Sequence, residues 1–199
     1  MSPPAIILAS GSASRRSVLA NAGLDVEAVR PLVDEDAAKA ALRAEGVSVR
    51  DQAMHLAELK AKKVSSQRPG LVIGGDQMLC LDGRGFDKPR DRDEARGHLE
   101  ALSGKTHRLE TALVICENGE PVWRHLERPE LTMRPLSPEF IESYLDRAGD
   151  AILSTVGGYQ LEGLGSQLFT RIEGDYFSIL GLPLLALMDY LRTRGVLAS

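Results

Sequence analysis

The stretch Ala5-Ile6-Ile7-Leu8-Ala9-Ser10-Gly11-Ser12-Ala13-Ser14-Arg15-Arg16 decides the fold class. Five apolar residues form a run of the length of a buried strand. Ser10-Gly11-Ser12 is a small polar turn, and Ala13 to Ala22 then reads as a helix with a Ser-rich start and a stop at Gly23. A strand, a tight loop and a helix N-terminus in succession present backbone N–H groups and a positive dipole end to an anion. Two arginines beside that loop add fork-shaped donors. The ordinary alternative is a capped helix with solvated arginines. The Walker pattern of spaced glycines followed by Lys and Ser/Thr is absent from the chain.

Outward from this unit, a short strand is expected near residues 26–29, then helices over 36–45 and 49–66. In the second helix Ala53, Leu56, Ala57, Leu59, Ala61 and Val64 are expected on one face, with Lys60, Lys62 and Lys63 towards its edges. Leu71-Val72-Ile73 and Met78 to Leu81 read as two strands interrupted by Gly74-Gly75-Asp76-Gln77. A helix over 91–102 follows. His107 to Cys116 reads as a strand, Asn118-Gly119 as a hairpin turn, and 121–133 as the returning strand. Ser137-Pro138 opens another helix. Residues 154–181 are Gly-rich, with strands expected at 168–172 and 178–180. A final helix over 182–194 stops at Gly195. Strands and helices mixed in this way, with an antiparallel hairpin, give an α/β (mixed α+β) class.

The 199 residues fit one domain, over 1–199, or two lobes sharing a core. With 24 basic and 28 acidic residues the net charge is −4, which argues against a general nucleic-acid binder. It leaves room for a small phosphorylated ligand, which needs only a local cluster of cations. Aromatic residues at 5% disfavour a face built on base stacking. Cys80 and Cys116 sit in apolar runs and read as reduced core thiols. No apolar run approaches the roughly 20 residues of a membrane span, so no membrane association and a cytoplasmic location are expected.

Five constellations could carry chemistry. Ser10, Ser12, Ser14 and Arg15 belong to the opening loop. Asp34-Glu35-Asp36 suits either a hard cation or a helix N-terminus. Asp76, at a strand end after two glycines, could hold a metal or polarise water. Lys88, before Pro89, could hold a phosphate as a point charge. Glu162 lies among glycines in a polar loop.

In order, these pieces resemble the Maf family of nucleoside triphosphate pyrophosphatases over nearly the whole chain. The resemblance runs through Leu8 to Arg16, Val33-Asp34-Glu35, and Leu56-Ala57 with Lys60-Ala61 and Val64. It continues through Gly75-Asp76-Gln77, Lys88-Pro89, Leu102 to His107 with Thr111, Gly158 to Gly163, and Gly181-Leu182-Pro183. It implies a mixed sheet with a deep central cleft, similar to inosine triphosphate pyrophosphatases. It implies cleavage of a nucleotide between its α and β phosphates, with Mg²⁺, or Mn²⁺ or Co²⁺ in its place. Asp76 would be the proton acceptor. Ser10, Ser12, Arg15, Lys60 and Lys88 would hold phosphate, and Glu35 and Asp76 the metal.

Three positions divide the family by base. Its dTTP/UTP-type members read serine-proline-arginine-arginine at the first motif, where this chain has Ser14 in place of the first arginine. Gln77 and Glu162 match the 7-methyl-GTP type; Ser14 does not, because that type carries tryptophan there. A carboxylate only accepts, and guanine offers N1–H and N2–H₂ side by side, so Glu162 favours guanine over thymine or uracil. A dTTP/UTP or broad-range pyrophosphatase and a septum-formation regulatory binding protein are the alternatives. A nucleoside triphosphate is the expected partner, with no nucleic acid, and a homodimer is allowed.

Overall fold

The structure, a computed structural model, describes residues 4–198; the remaining residues of the expected 1–199 domain lie outside them. In chain order the elements are β1 (Ile6–Ala9), α1 (Ala13–Asn21), β2 (Glu27–Val29), α2 (Glu35–Ala44), α3 (Val49–Ser65), β3 (Leu71–Leu81) and β4 (Arg84–Phe86). Then come α4 (Arg92–Leu102), β5 (Thr106–Glu117), β6 (Glu120–Glu127), β7 (Glu130–Met133), α5 (Pro138–Ala148), β8 (Phe169–Glu173), α6 (Tyr176–Ile179) and α7 (Leu184–Thr193). Short 3-10 turns fill most of 149–168. Parallel and antiparallel pairs both occur, so the sheet is mixed, as expected.

Two compact units divide the chain discontinuously. The first comprises Met1–Gln77, Thr111–Glu127 and Asp175–Ser199; the second comprises Met78–Glu110 and Arg128–Gly174. Strands β3 and β5 each run from one unit into the other.

In the first unit β1 lies between β2 and β3 with parallel pairing, Ile7 opposite Val72 and Ala9 opposite Gly74. Side chains alternate across such a strand. Leu8, Leu71 and Ile73 therefore join one cluster with Val18 and Leu19 of α1 and Leu184, Leu187 and Leu191 of α7. Ile7, Ala9 and Val72 join another with Val64 of α3. Helices cover both faces, which is why β1 is apolar at successive positions.

The helix signals are borne out. Ser12, Ser48 and Ser137 cap α1, α3 and α5, and Pro138 sits in the first turn of α5. Asn118 and Gly119 both take positive φ in the hairpin turn, a conformation these two residue types tolerate best.

Four expectations are corrected. The interrupted pair at 71–81 is one continuous strand, so Asp76 lies within β3 and not at its end. The returning strand 121–133 divides into β6 and β7 at Arg128-Pro129, although pairing with β5 keeps its register, Thr111 opposite Glu127 and Arg108 opposite Glu130. Proline has no N–H to give a ladder. Residues 178–180 are not a strand, because Asp175 caps a helical turn there, accepting from Ser178 N at 2.7 Å. Lastly, Lys60 is buried and Leu59 is 40% exposed. The buried stripe of α3 steps through Ala53, Leu56, Ala57, Lys60, Ala61 and Val64 at helical spacing, and Leu59 falls outside it.

In the second unit β4 pairs antiparallel with β3, and β7 lies between β5 and β8. His107 of β5 contacts the Tyr159 and Phe169 rings. Its Nε2 is 2.7 Å from the Tyr159 hydroxyl, and its Nδ1 is buried with no hydrogen-bond partner. Burial pushes the imidazole pKa down to about 4, so His107 is neutral at pH 7. The unfolded chain takes up this proton near pH 6.5 and the folded one only near 4. Stability is thus full above about pH 6.5 and falls by on the order of 3 kcal/mol towards pH 4. Urea titrations at pH 7 and pH 4 should show this fall, and a smaller one in His107→Gln, whose amide can reach Tyr159 but does not titrate. An equal fall in that variant would clear His107 of the effect.

Candidate active site

The site grows from three sequence-local devices in the first unit. At the end of β1, Ser10 Oγ accepts from Ser12 N at 3.1 Å and from Arg15 Nη1 at 3.2 Å. Ser12 Oγ accepts from Arg15 N at 3.3 Å as the helix cap. At the head of α2, Asp34 caps the helix, accepting from Ala37 N at 2.9 Å, which leaves Glu35 to project from the first turn. Within β3, Gly74 and Gly75 precede Asp76.

Gly74 explains how α3 reaches the strand. A Cβ there would lie 2.2 Å from Ala57 O and 2.7 Å from Ala61 N, inside the van der Waals distance of helix backbone. With no side chain at 74 and alanines at 57 and 61, the helix packs directly on the strand. Two residues along the same face Asp76 meets Lys60, which stands between those alanines.

Lys60 Nζ lies 2.7 Å from Asp76 Oδ1 and 2.8 Å from Glu35 Oε2. Lys60 and Asp76 are both only 6% exposed. The partnership is what allows their burial, since an unpaired buried charge costs several kcal/mol. Arg15 is also buried; burial lowers its pKa from the ordinary value, and the charges of Asp76 and Glu35 oppose that shift. Two cations and two carboxylates therefore share this part of the first unit. Asp76 Oδ2 is left buried with no hydrogen-bond partner. An orphaned carboxylate oxygen is an acceptor waiting for a proton, a water or a cation.

That orphan bears on the expected divalent metal. Among the described residues no group of three or more His, Cys, Asp and Glu side chains could hold an ion. Mg²⁺ commonly takes one or two carboxylates and completes its shell with water and substrate phosphates. Asp76 Oδ2 and the half-exposed Glu35 fit that limited donor set.

The two other first-unit candidates point elsewhere. Ser14 Oγ donates to Leu180 O at 2.8 Å. Gln77 Nε2 faces Thr111 Oγ1 at 2.9 Å, Ser178 O at 2.9 Å and Ile179 O at 3.1 Å. Strand parity separates Gln77 from its neighbour: Gly74 and Asp76 face α3, whereas Gly75 faces Arg15 and Gln77 the end of α6. Thr111 and the carbonyls of 178–181 received no role from sequence reasoning. The alternation along β3 was the available signal for the two faces.

In the second unit, Lys88 is exposed in the loop after β4, two residues beyond buried Phe86. Glu162 is exposed in the turn at 161–163. That turn is built on Gln160 O, which accepts from Gly163 N at 3.2 Å and Gly165 N at 3.1 Å. A Cβ at Gly165 would stand 2.4 Å from the same oxygen, so the tight turn needs glycine there. Tyr159, anchored to His107, fixes the chain immediately before it.

Residues 5–194 match the family model described as Maf-like protein. The chain is 65% identical over 195 residues to a nucleoside triphosphate pyrophosphatase of Hyphomonas neptunium, covering 98% of each chain. It is 54% identical over 193 residues to a 7-methyl-GTP pyrophosphatase of Mesorhizobium japonicum, covering 96% of this chain and 97% of the relative. The solved structure of a nucleoside-triphosphatase / dITP/XTP pyrophosphatase from Mycobacterium abscessus is 16% identical, with a TM-score of 0.43, covering 96% of this chain and 95% of that one.

Proposed function

Because this chain belongs to the Maf-like protein family and is a nucleoside triphosphate pyrophosphatase, we propose that its substrate is 7-methyl-GTP or a related modified guanine nucleotide, cut between the α and β phosphates. The observation that carries the chemistry is Asp76, buried, with one oxygen bound by Lys60 and the other unpartnered.

Asp76 Oδ2 is the acceptor for the proton of the attacking water. Lys60 holds Asp76 in place through Oδ1, and with Arg15 it offers positive charge to the phosphate oxygens as the pyrophosphate leaves. Buried as they are, these charges act more strongly than they would in water. Ser10 fixes one edge of the Arg15 guanidinium. Glu35, with the second lone pair of Asp76 Oδ2, would hold a divalent cation, which when bound supplies Lewis-acid charge to the phosphate oxygens.

The base preference rests on Glu162. Its carboxylate matches the paired N1–H and N2–H₂ donors of guanine, and methylation at N7 adds a positive charge that an anion favours. The name of the Mesorhizobium relative supports the same reading.

The test is a panel of 7-methyl-GTP, GTP, dTTP and UTP, with pyrophosphate and orthophosphate release measured separately. The wild-type chain should favour 7-methyl-GTP and release pyrophosphate first. Glu162→Gln should lower kcat/KM for 7-methyl-GTP by about 10- to 150-fold, the size of a hydrogen bond to a charged group at about 1.5–3 kcal/mol, and leave dTTP unchanged or improved. A wild-type preference for dTTP or UTP, or an unaltered panel in the variant, sinks the base assignment.

A further inference from the structure

Four consecutive main-chain carbonyls, from Ser178 to Gly181, each receive a side-chain hydrogen bond. Gln77 Nε2 donates to Ser178 O at 2.9 Å and to Ile179 O at 3.1 Å. Thr111 Oγ1 donates to Ser178 O at 3.0 Å and accepts from Gln77 Nε2. Ser14 Oγ donates to Leu180 O at 2.8 Å, and Arg15 Nε to Gly181 O at 2.7 Å. The donors come from α1, β3 and β5; the acceptors are the last two residues of α6 and the two that follow them. Two of the three partners of the Gln77 amide are carbonyls, which only accept, so its nitrogen must face them. Its two N–H groups already serve three acceptors, which leaves none to read a base.

Only one of the four donors is charged. Arg15 is fixed at two edges, by Gly181 O on Nε and by Ser10 Oγ on Nη1. It lies between two residues without side chains: a Cβ at Gly75 would be 3.1 Å from Arg15 Nε, and one at Gly181 3.6 Å. A guanidinium held in this way keeps its remaining N–H groups in one direction, and a ligand oxygen meets them with little further ordering.

We propose that Ser14, Gln77 and Thr111 are positioning residues that lock the 178–181 turn and through Gly181 O aim Arg15 at the polyphosphate. Gln77 and Ser14 thereby set how tightly the phosphate chain is held, whatever base it carries. This rests on the reading of Arg15 as a phosphate ligand given above.

A base-free ligand separates aiming from base reading. Inorganic tripolyphosphate with Mg²⁺ is titrated calorimetrically into the wild-type chain, Gln77→Leu, Ser14→Ala, Thr111→Val and Thr111→Ser, and the same proteins are run on the nucleotide panel. Gln77→Leu should weaken tripolyphosphate about tenfold and raise KM for every nucleotide by the same factor, on the scale of one or two lost hydrogen bonds. The ratios between bases should not move. Thr111→Val should weaken tripolyphosphate, and Thr111→Ser, which keeps the hydroxyl, should restore it. Ser14→Ala, the smallest change, carries the test should Gln77→Leu fold poorly. Unchanged tripolyphosphate affinity with shifted base ratios overturns the clamp alone. A wild-type chain that does not bind tripolyphosphate overturns the reading of Arg15 and the clamp with it.

Discussion

Asp76→Asn should lower the rate of pyrophosphate release by about 10²- to 10⁴-fold, the usual contribution of a positioned general base. The substitution is nearly isosteric, and its amide oxygen can still accept from Lys60, so the local packing is kept. What disappears is the basicity of Oδ2, the oxygen that has no partner in the folded protein. Lys60 retains Glu35 as a counter-charge at 2.8 Å, so the ammonium is not stranded. A coupled pyrophosphate assay at saturating nucleotide, beside a thermal melt, reads both quantities. A variant that melts normally and keeps a tenth or more of the wild-type rate removes Asp76 from the proton transfer.

Gly74→Ala should be the most damaging of the small substitutions, although it adds a single methyl group. That methyl would meet backbone atoms of α3 at 2.2 Å and 2.7 Å, and backbone cannot rotate away as a side-chain tip does. The strand and the helix must part. Overpacking of this kind costs about 3 kcal/mol at the upper end of its range, which lowers Tm by about 6–12 °C in a chain of this length. The helix carries Lys60, so its displacement should also reduce activity well beyond what the loss of stability explains. Gly97→Ala is the internal control. Gly97 lies inside α4, and a Cβ there meets nothing within 4 Å, so its helix propensity should raise stability by about 1 kcal/mol. Equal melting temperatures for the two variants would remove the close approach at Gly74 from the account.

These two variants also mark where the sequence could and could not be read. Local chemistry announces itself. Ser12, Ser48, Asp91 and Ser137 cap the helices expected after them, because a cap is a contract between residues two or three apart. The turn at Asn118-Gly119 is equally local. The continuity of β3 is not. Gly74-Gly75-Asp76-Gln77 has the composition of a break, and only the backbone of α3 lying against Gly74 makes glycine the residue a continuous strand needs there. The burial of Lys60 had a signal in the helical spacing from Leu56 and Ala57 to Val64. Residue type argues against placing a lysine on that stripe until a carboxylate is known to meet it.

The ordered motifs from Ser10 to Gly181 sufficed to place this chain in its family and to nominate Asp76, Lys60, Glu35 and Arg15. Arg15, Glu35 and Asp76 stand in stretches whose residue types already suggested anion or cation binding, whereas Lys60 is nominated by the family resemblance alone. What Ser14 and Gln77 touch was decided only by the tertiary structure. The alternation of β3 turns Asp76 towards α3 and Gln77 towards a turn about a hundred residues later in the chain. A hydrogen bond depends on distance in space, and no reading along the chain contains the distance between Gln77 and Ser178.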